Sequence, residues 1–232
     1  PLYSSAASDV YKRQVLGNEV LDAMPVTLLH WDGAQWFERG VGVAPAEVPQ
    51  AGPVFRFADR PSPLRPPVEG PFVPGTTVEL QPQGQAFAAT VAQRLQKGLA
   101  IFIDYGFPES EYYHPQRIGG TLMCHRQHRS DADPLCNVGQ KDITAHVDFT
   151  GIALAAQSGG CEVLGYTSQA RFLMNLGFVE AMAQADVKGR IAAHRLLAEH
   201  EMGELFKVIA FGRGLDFGPR GPAGFVEGDR CH

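Results

Sequence analysis

The sequence predicts an α/β protein built on part of a doubly wound sheet, with a hairpin inserted into it. Three observations point there. Gln85–Lys97 carries Phe87, Val91 and Leu95 at four-residue spacing, the pattern of an amphipathic helix, closed by Gly98. Leu99–Asp104 follows at once, a continuous apolar run ending on an acid, as in a central parallel strand; a helix running into such a strand is half of a βαβ unit. Nearer the start, Val26–His30 and Gln35–Val43 read as strands joined by Trp31-Asp32-Gly33-Ala34, and Asp-Gly between strand-like runs signals a hairpin.

The other elements follow in order. Val15–Asn18 reads as the end of a buried strand. Ala44–Gly75 is rich in Pro and Gly and reads as a long surface excursion with a short strand at Val54–Phe57; Thr77–Leu80 is a short strand. Glu109–Gly119 and Asp131–Gly139 read as loops on either side of a strand within Thr121–Arg126. Asp148 or Thr150 caps a helix that reaches Ser158 and stops at Gly159-Gly160. Cys161–Tyr166 is a strand, and Ser168 caps a helix stopped by Gly177. Asp186–Glu201 is a further helix with Ile191, Leu196 and Leu197 inward, and Leu205–Phe211 closes the sheet. An order that ends on a strand after the helices fits the second half of an open sheet better than a complete domain. Residues 212–232 form a Gly/Pro-rich tail. At the other end, Pro1–Gln14 has no apolar periodicity and resembles a translated sequencing-adaptor junction; it is set aside as a non-native or disordered leader, and residues 15–211 carry the fold.

Composition narrows the function classes. The 232 residues carry a net charge of −5, so the basic field of a nucleic-acid binder is absent. The four cysteines form no CxxC pair, and reduced thiols are the simplest reading. The longest apolar runs, as at Leu99–Ile103, are far too short to span a bilayer.

In doubly wound sheets ligands sit beyond the C-terminal ends of the strands. Two strands here end in polar clusters. The first is Asn18–Pro25, where one helical turn would put the carboxylates of Glu19 and Asp22 on one side. The second is Asp104-Tyr105-Gly106, whose glycine permits a tight turn past the strand. The plainer alternative makes Asn18 an N-cap, Glu19 and Asp22 helix-dipole partners, and Asp104 a loop acid. Thr144, His146 and Asp148 would share one face by strand alternation, unless Asp148 is simply a cap. Cys124-His125 with His128 and Cys136 matches no standard zinc spacing, and no glycine-rich phosphate loop follows a recognisable strand.

Six segments, in order, resemble the MidA family of SAM-dependent methyltransferases. Asn18–Val26 (NEVLDAMPV) resembles the family's NEFFDALPV, and Ile103–Gly106 its IDYG. Thr121-Leu122 with His128 and Asp133-Pro134-Leu135 resembles a T-L…H…D-P-L stretch, and Asp142–Phe149 (DITAHVDF) is close to DLTAHVDF. Gln169 with Phe172-Leu173 and Leu176-Gly177, then Met202–Val208, complete the series.

The resemblance implies an incomplete Rossmann-like methyltransferase sheet, strands four to seven, with the main S-adenosyl-L-methionine loop and the ribose acid upstream of Val15. The chain is then expected to be inactive alone. A mitochondrial relative in complex I assembly implies a protein arginine acceptor, such as a respiratory-complex subunit, and a bacterial cytoplasmic or mitochondrial matrix location. On this reading Glu19 and Asp22 are catalytic, accepting the guanidinium fork. Asn18 and Glu19 also face the cofactor. Asn18, Asp104, Tyr105, His128, His146 and Asp148 line the acceptor pocket. Two other readings compete: a non-catalytic partner-binding or assembly module, and a metal hydrolase using Asp104, His125, His128, His146 and Asp148.

Overall fold

The structure, a computed structural model, describes residues 13–44, 54–127 and 129–231. The chain begins with β1 (Arg13–Asn18), β2 (Thr27–Trp31), β3 (Trp36–Ala44), β4 (Val54–Pro61) and β5 (Thr77–Leu80). Then come α1 (Pro82–Arg94), β6 (Gly98–Phe107), a single turn α2 (Glu109–Tyr112), and the short strands β7 (Met123–Arg126), β8 (Arg129–Asp131), β9 (Asp142–Thr144) and β10 (Val147–Asp148). It closes with α3 (Phe149–Ser158), β11 (Glu162–Ser168), α4 (Gln169–Asn175), α5 (Phe178–Ala183), α6 (Val187–Leu197) and β12 (Phe206–Arg213). Two compact units result: the described residues of Pro1–Val20, Gln85–Tyr105 and Gly151–His232, and Leu21–Gly84 with Gly106–Thr150.

The first unit is an α/β layer on a mixed sheet of order β1-β6-β12-β11. β1 runs parallel to β6, while β12 is antiparallel to both β6 and β11. β12 is buried from Lys207 through Gly212, as its central place requires. Phe102 of β6 stacks on Phe211 of β12 and meets the edge of Phe87 from α1. The strand β1 starts at Arg13, so Arg13 and Gln14 of the presumed leader pair with Gly98 and Leu99; the rest of that leader lies outside the described residues. α1 turns a different stripe inward than expected. Ala88 and Ala92 are buried, while Phe87 and Val91 are only half so; of the expected stripe only Leu95, just past the helix end, is fully buried. The reason is close approach: Gly159, just past α3, packs on Ala92 and the Ala89 carbonyl, which a larger residue would prevent.

Other helices of this unit begin as predicted. Ser168 caps α4 by accepting from the Arg171 N–H, and Gly177 ends the α4 turn with φ +79°. Asp186 caps α6 by accepting from the Gly189 N–H at 2.7 Å. α6 stops at Leu197, short of Glu201, and Ile191 points outward rather than inward, 62% exposed. The C-terminal segment is no free tail. Phe225 is buried against Phe172 and Gly165. Asp229 accepts the Tyr166 N–H, Thr167 donates to the Gly228 carbonyl, and the Arg230 N–H donates to Tyr166, so the segment covers the outer edge of β11.

The second unit enlarges the predicted hairpin into a four-stranded antiparallel sheet, β4-β3-β2-β5. The β2–β3 turn is the expected Asp-Gly turn: Asp32 accepts from the Ala34 and Gln35 N–H groups, and Gly33 takes φ +107°. Within the supposed excursion, β4 pairs with β3 along its whole length, well past Phe57. Its polar sequence hid it, because the outward residues are held by ion pairs, Arg39 with Asp59 and Arg60 with Glu38, rather than by burial. The core is Leu29, Trp36, Val78, Tyr112 and Tyr113, with Phe72 edge-on to Trp36. β8-β7-β9 form a small second sheet, and β10 pairs in parallel with Gly106–Phe107.

Candidate active site

In the first unit the chain leaves β1 through a strained residue. Glu19 has φ +51°, a left-handed value that costs a non-glycine residue about 1–2 kcal/mol. Two bonds hold it there. The Glu19 N–H donates to the Ile103 carbonyl at 2.9 Å, and the Val20 N–H donates to Asp104 Oδ2 at 3.1 Å. Asp104 is fully buried, and its other oxygen accepts the Tyr105 N–H at 3.0 Å. Asn18 and Glu19 are exposed, and the Asn18 amide donates to the Glu19 carboxylate at 3.1 Å. This unit therefore brings Asn18, Glu19, Asp104 and Tyr105 together at the carboxyl end of the parallel pair. Asp104 acts there on backbone, as a clamp beneath an outward-facing carboxylate.

Two local expectations are corrected. Glu19 and Asp22 do not share a helical turn, since the left-handed backbone at Glu19 breaks any helix before it starts. Asp22 falls in the second unit, 4% exposed, its carbonyl accepting the Ala145 N–H. Nor does β6 end at Asp104. It continues to Phe107, and Gly106 serves close strand approach: an added Cβ would strike the Val147 backbone of β10.

In the second unit the side chain of Gln81 acts as a substitute strand. It donates to the His146 carbonyl at 2.5 Å and accepts the Asp148 N–H at 2.8 Å. The His146 N–H donates to Thr121 Oγ1, and its ring lies against Phe107. Burial, then the nearby Arg117 charge, lowers the ring's pKa to about 4, so it is neutral at ordinary pH. Asp148 is buried one residue before α3. Gln81 thus holds the backbone on both sides of Val147; the continuous strand that would have alternated Thr144, His146 and Asp148 is absent, since β9 ends at Thr144 and β10 begins at Val147. His128 lies outside the described residues.

Glu79 is a centre that sequence reasoning missed. It is 1% exposed and accepts from the Thr121 and Leu122 N–H groups, at 2.8 and 3.1 Å, and from the Thr121 hydroxyl. Burial outweighs these bonds and raises its pKa. Gly120, at φ +72°, leaves room for the carboxylate. An acid inside a short strand carried no signal beyond the glycine pair at 119–120. On β7, Cys124 is buried and His125 exposed, on opposite faces as alternation requires. Among the described residues no group of three His, Cys, Asp or Glu is placed to hold a metal ion. None of their helices is long and apolar enough to cross a membrane.

Residues 4–167 match the family described as "Putative S-adenosyl-L-methionine-dependent methyltransferase". The chain belongs to this family. A crystal structure from Burkholderia thailandensis bound to S-adenosyl-homocysteine superposes with a TM-score of 0.87 at 44% identity, over 98% of this chain and 59% of that one. A native crystal structure from the same organism gives 0.86 at 44%, over 98% and 61%. Among curated relatives, the mitochondrial protein arginine methyltransferase NDUFAF7 homolog of Drosophila melanogaster is 27% identical, over 87% of this chain and 47% of the relative. The Caenorhabditis elegans homolog of the same name is 26% identical, over 90% and 50%. The chain thus spans about half the length of the curated relatives it matches.

Proposed function

We propose that this family member contributes to S-adenosyl-methionine-dependent methylation of an arginine side chain on a protein. The observation that carries the proposal is the 44% identity, at a TM-score of 0.87, to a protein bound to S-adenosyl-homocysteine. That molecule is what S-adenosyl-methionine becomes when its methyl group leaves. The arginine acceptor rests on the names of the relatives. A respiratory-complex subunit is the acceptor class we favour, in the mitochondrial matrix or a bacterial cytoplasm according to source.

The strand order supports reading β1, β6, β11 and β12 as strands four to seven of a methyltransferase sheet, with β12 the antiparallel one. Two exposed polar side chains at the end of β1, Asn18 and Glu19, suit hydrogen bonding to a cofactor's amino and hydroxyl groups. Among the described residues neither β1 nor β6 is followed by a glycine turn, so these contacts make up only part of a cofactor cradle. When bound, S-adenosyl-methionine supplies an activated methyl group. The chain's part is to hold an arginine nitrogen in line with it. Glu19 is the exposed carboxylate available to accept the planar guanidinium donors and offset their charge. Asp104 holds Glu19 in place through Val20. Asp22, being buried, is the weaker candidate for direct contact.

Calorimetric titration with S-adenosyl-homocysteine tests the reading, on this chain and on one lengthened at its N-terminus to the relatives' length. We expect the longer protein to bind and the shorter one to bind weakly or not at all. Failure of both removes the methyltransferase assignment. In the longer protein Glu19→Gln should lower kcat on arginine peptides at least tenfold; unchanged turnover would exclude Glu19.

A further inference from the structure

We propose that Arg117, in the second unit, anchors a binding site for a carboxylate carried by an acidic polypeptide segment. The guanidinium lies with its carbon 4.3 Å above the centre of the Phe107 ring, so one face is covered. Its Nε is buried and has no hydrogen-bond partner among the described residues. Among the described residues no side chain forms an ion pair or a hydrogen bond with the guanidinium. His146, whose ring also packs on Phe107, cannot neutralise it, being itself a base held uncharged. A half-buried guanidinium with an unused buried donor is costly, and native proteins normally pair such groups.

Arg117 lines a cleft of about 530 Å³. Arg117 shares its lining with His114, Gln116, Gly119, Gly120 and Glu111. A planar fork stacked on an aromatic ring presents its edge in one fixed orientation, which matches the two oxygens of a carboxylate better than a tetrahedral anion. Gly119, where an added Cβ would meet nothing, leaves the mouth open. Gln116 adds an amide that can donate to the same ligand or to the backbone beside it. Glu111 is exposed and lies beyond ion-pair distance of Arg117, so it shapes the rim by repelling excess negative charge. A single acidic side chain flanked by neutral residues suits this cleft better than an acidic cluster.

The test is nitrogen-15 NMR of the Arg117 Nε–H in the whole chain. The probes are sodium acetate, inorganic phosphate, and a capped Gly-Asp-Gly peptide. A saturable shift is expected with acetate, tighter binding with the peptide, and weaker binding with phosphate. Followed by the backbone amide shifts of Gln116 and Gly119, which the variants keep, Arg117→Gln should weaken peptide binding at least tenfold. Arg117→Lys, which keeps the charge without the fork, should weaken it by a similar factor. Glu111→Gln should strengthen it. Any of three results overturns the proposal: no saturable shift with either carboxylate, peptide binding unchanged in both Arg117 variants, or phosphate binding tighter than the peptide. Tighter binding of acetate than of the peptide would reassign the site to free small carboxylates. The outcome is independent of cofactor binding, since no S-adenosyl compound is present.

Discussion

Single residues set the sharpest expectations. Glu79 satisfies two backbone donors at once, the buried Thr121 and the half-buried Leu122. Glu79→Ala would strand both and should destabilise by about 2–4 kcal/mol, read from urea unfolding followed by tryptophan emission. That probe is local, because Trp31 and Trp36 both belong to the second unit. His146 makes stability depend on pH. Its folded pKa is about 4 against an ordinary value of 6.5. For a base held neutral in the fold, the unfolded chain takes up the proton first. The contribution is therefore complete above pH 6.5 and is lost as pH falls towards 4, by at most about 3 kcal/mol. Arg117→Gln should raise the His146 pKa in an NMR titration while leaving it below 6.5, because burial is the larger cause and remains. Neither residue was legible as such. His146 stood out in the sequence by its spacing from Asp148, but its neutrality comes from Phe107 and Arg117, distant in the chain. Glu79 carried no mark, since a lone acid in a strand is usually a solvated one.

At the scale of elements, the predicted signals that held were local ones: the Asp-Gly turn at Asp32, the caps at Ser168 and Asp186, and the stop at Gly177. Each is a bond or a dihedral within four residues. The expectations that failed depended on a partner elsewhere. α1 turned because Gly159 approaches Ala92, β4 lengthened because β3 lay beside it, and β6 ran on because β10 pairs with Gly106. Gly106→Ala should separate β10 from β6 and cost about 2 kcal/mol or more, seen as faster amide exchange at Val147 and Asp148 and a lower urea midpoint. Phe225→Ala should remove the anchor of the C-terminal segment at about 3 kcal/mol. Proteolysis would then trim the chain after Arg213 ahead of global unfolding. If the segment stays protected, the bonds of Thr167 and Asp229 hold it without the ring.

For the whole molecule, the chain crosses between two units four times, after Val20, Gly84, Tyr105 and Thr150. The residues expected to line one pocket come from both units. Asn18, Glu19, Asp104 and Tyr105 belong to the sheet unit, and Asp22, His146 and Asp148 to the other. Motif order along the chain was enough to indicate the family, which the match over residues 4–167 establishes. Exchanging Asp104 for Asn tests the sheet unit as a platform. It keeps an acceptor for one N–H but weakens the clamp on Val20, and should expose the Glu19 turn to exchange without unfolding β12. What the sequence by itself determined were the family, the apolar strands, the caps and the turns, since these rest on composition and on contacts between near neighbours. Only the tertiary structure decided which polar groups are structural and which face outward. Asp104 and Glu79 became buried clamps, Glu19 an exposed strained carboxylate, and Arg117 a stacked cation with no anionic partner among the described residues. Each of those outcomes is a balance between desolvation and long-range hydrogen bonding, and neither quantity exists until distant segments meet.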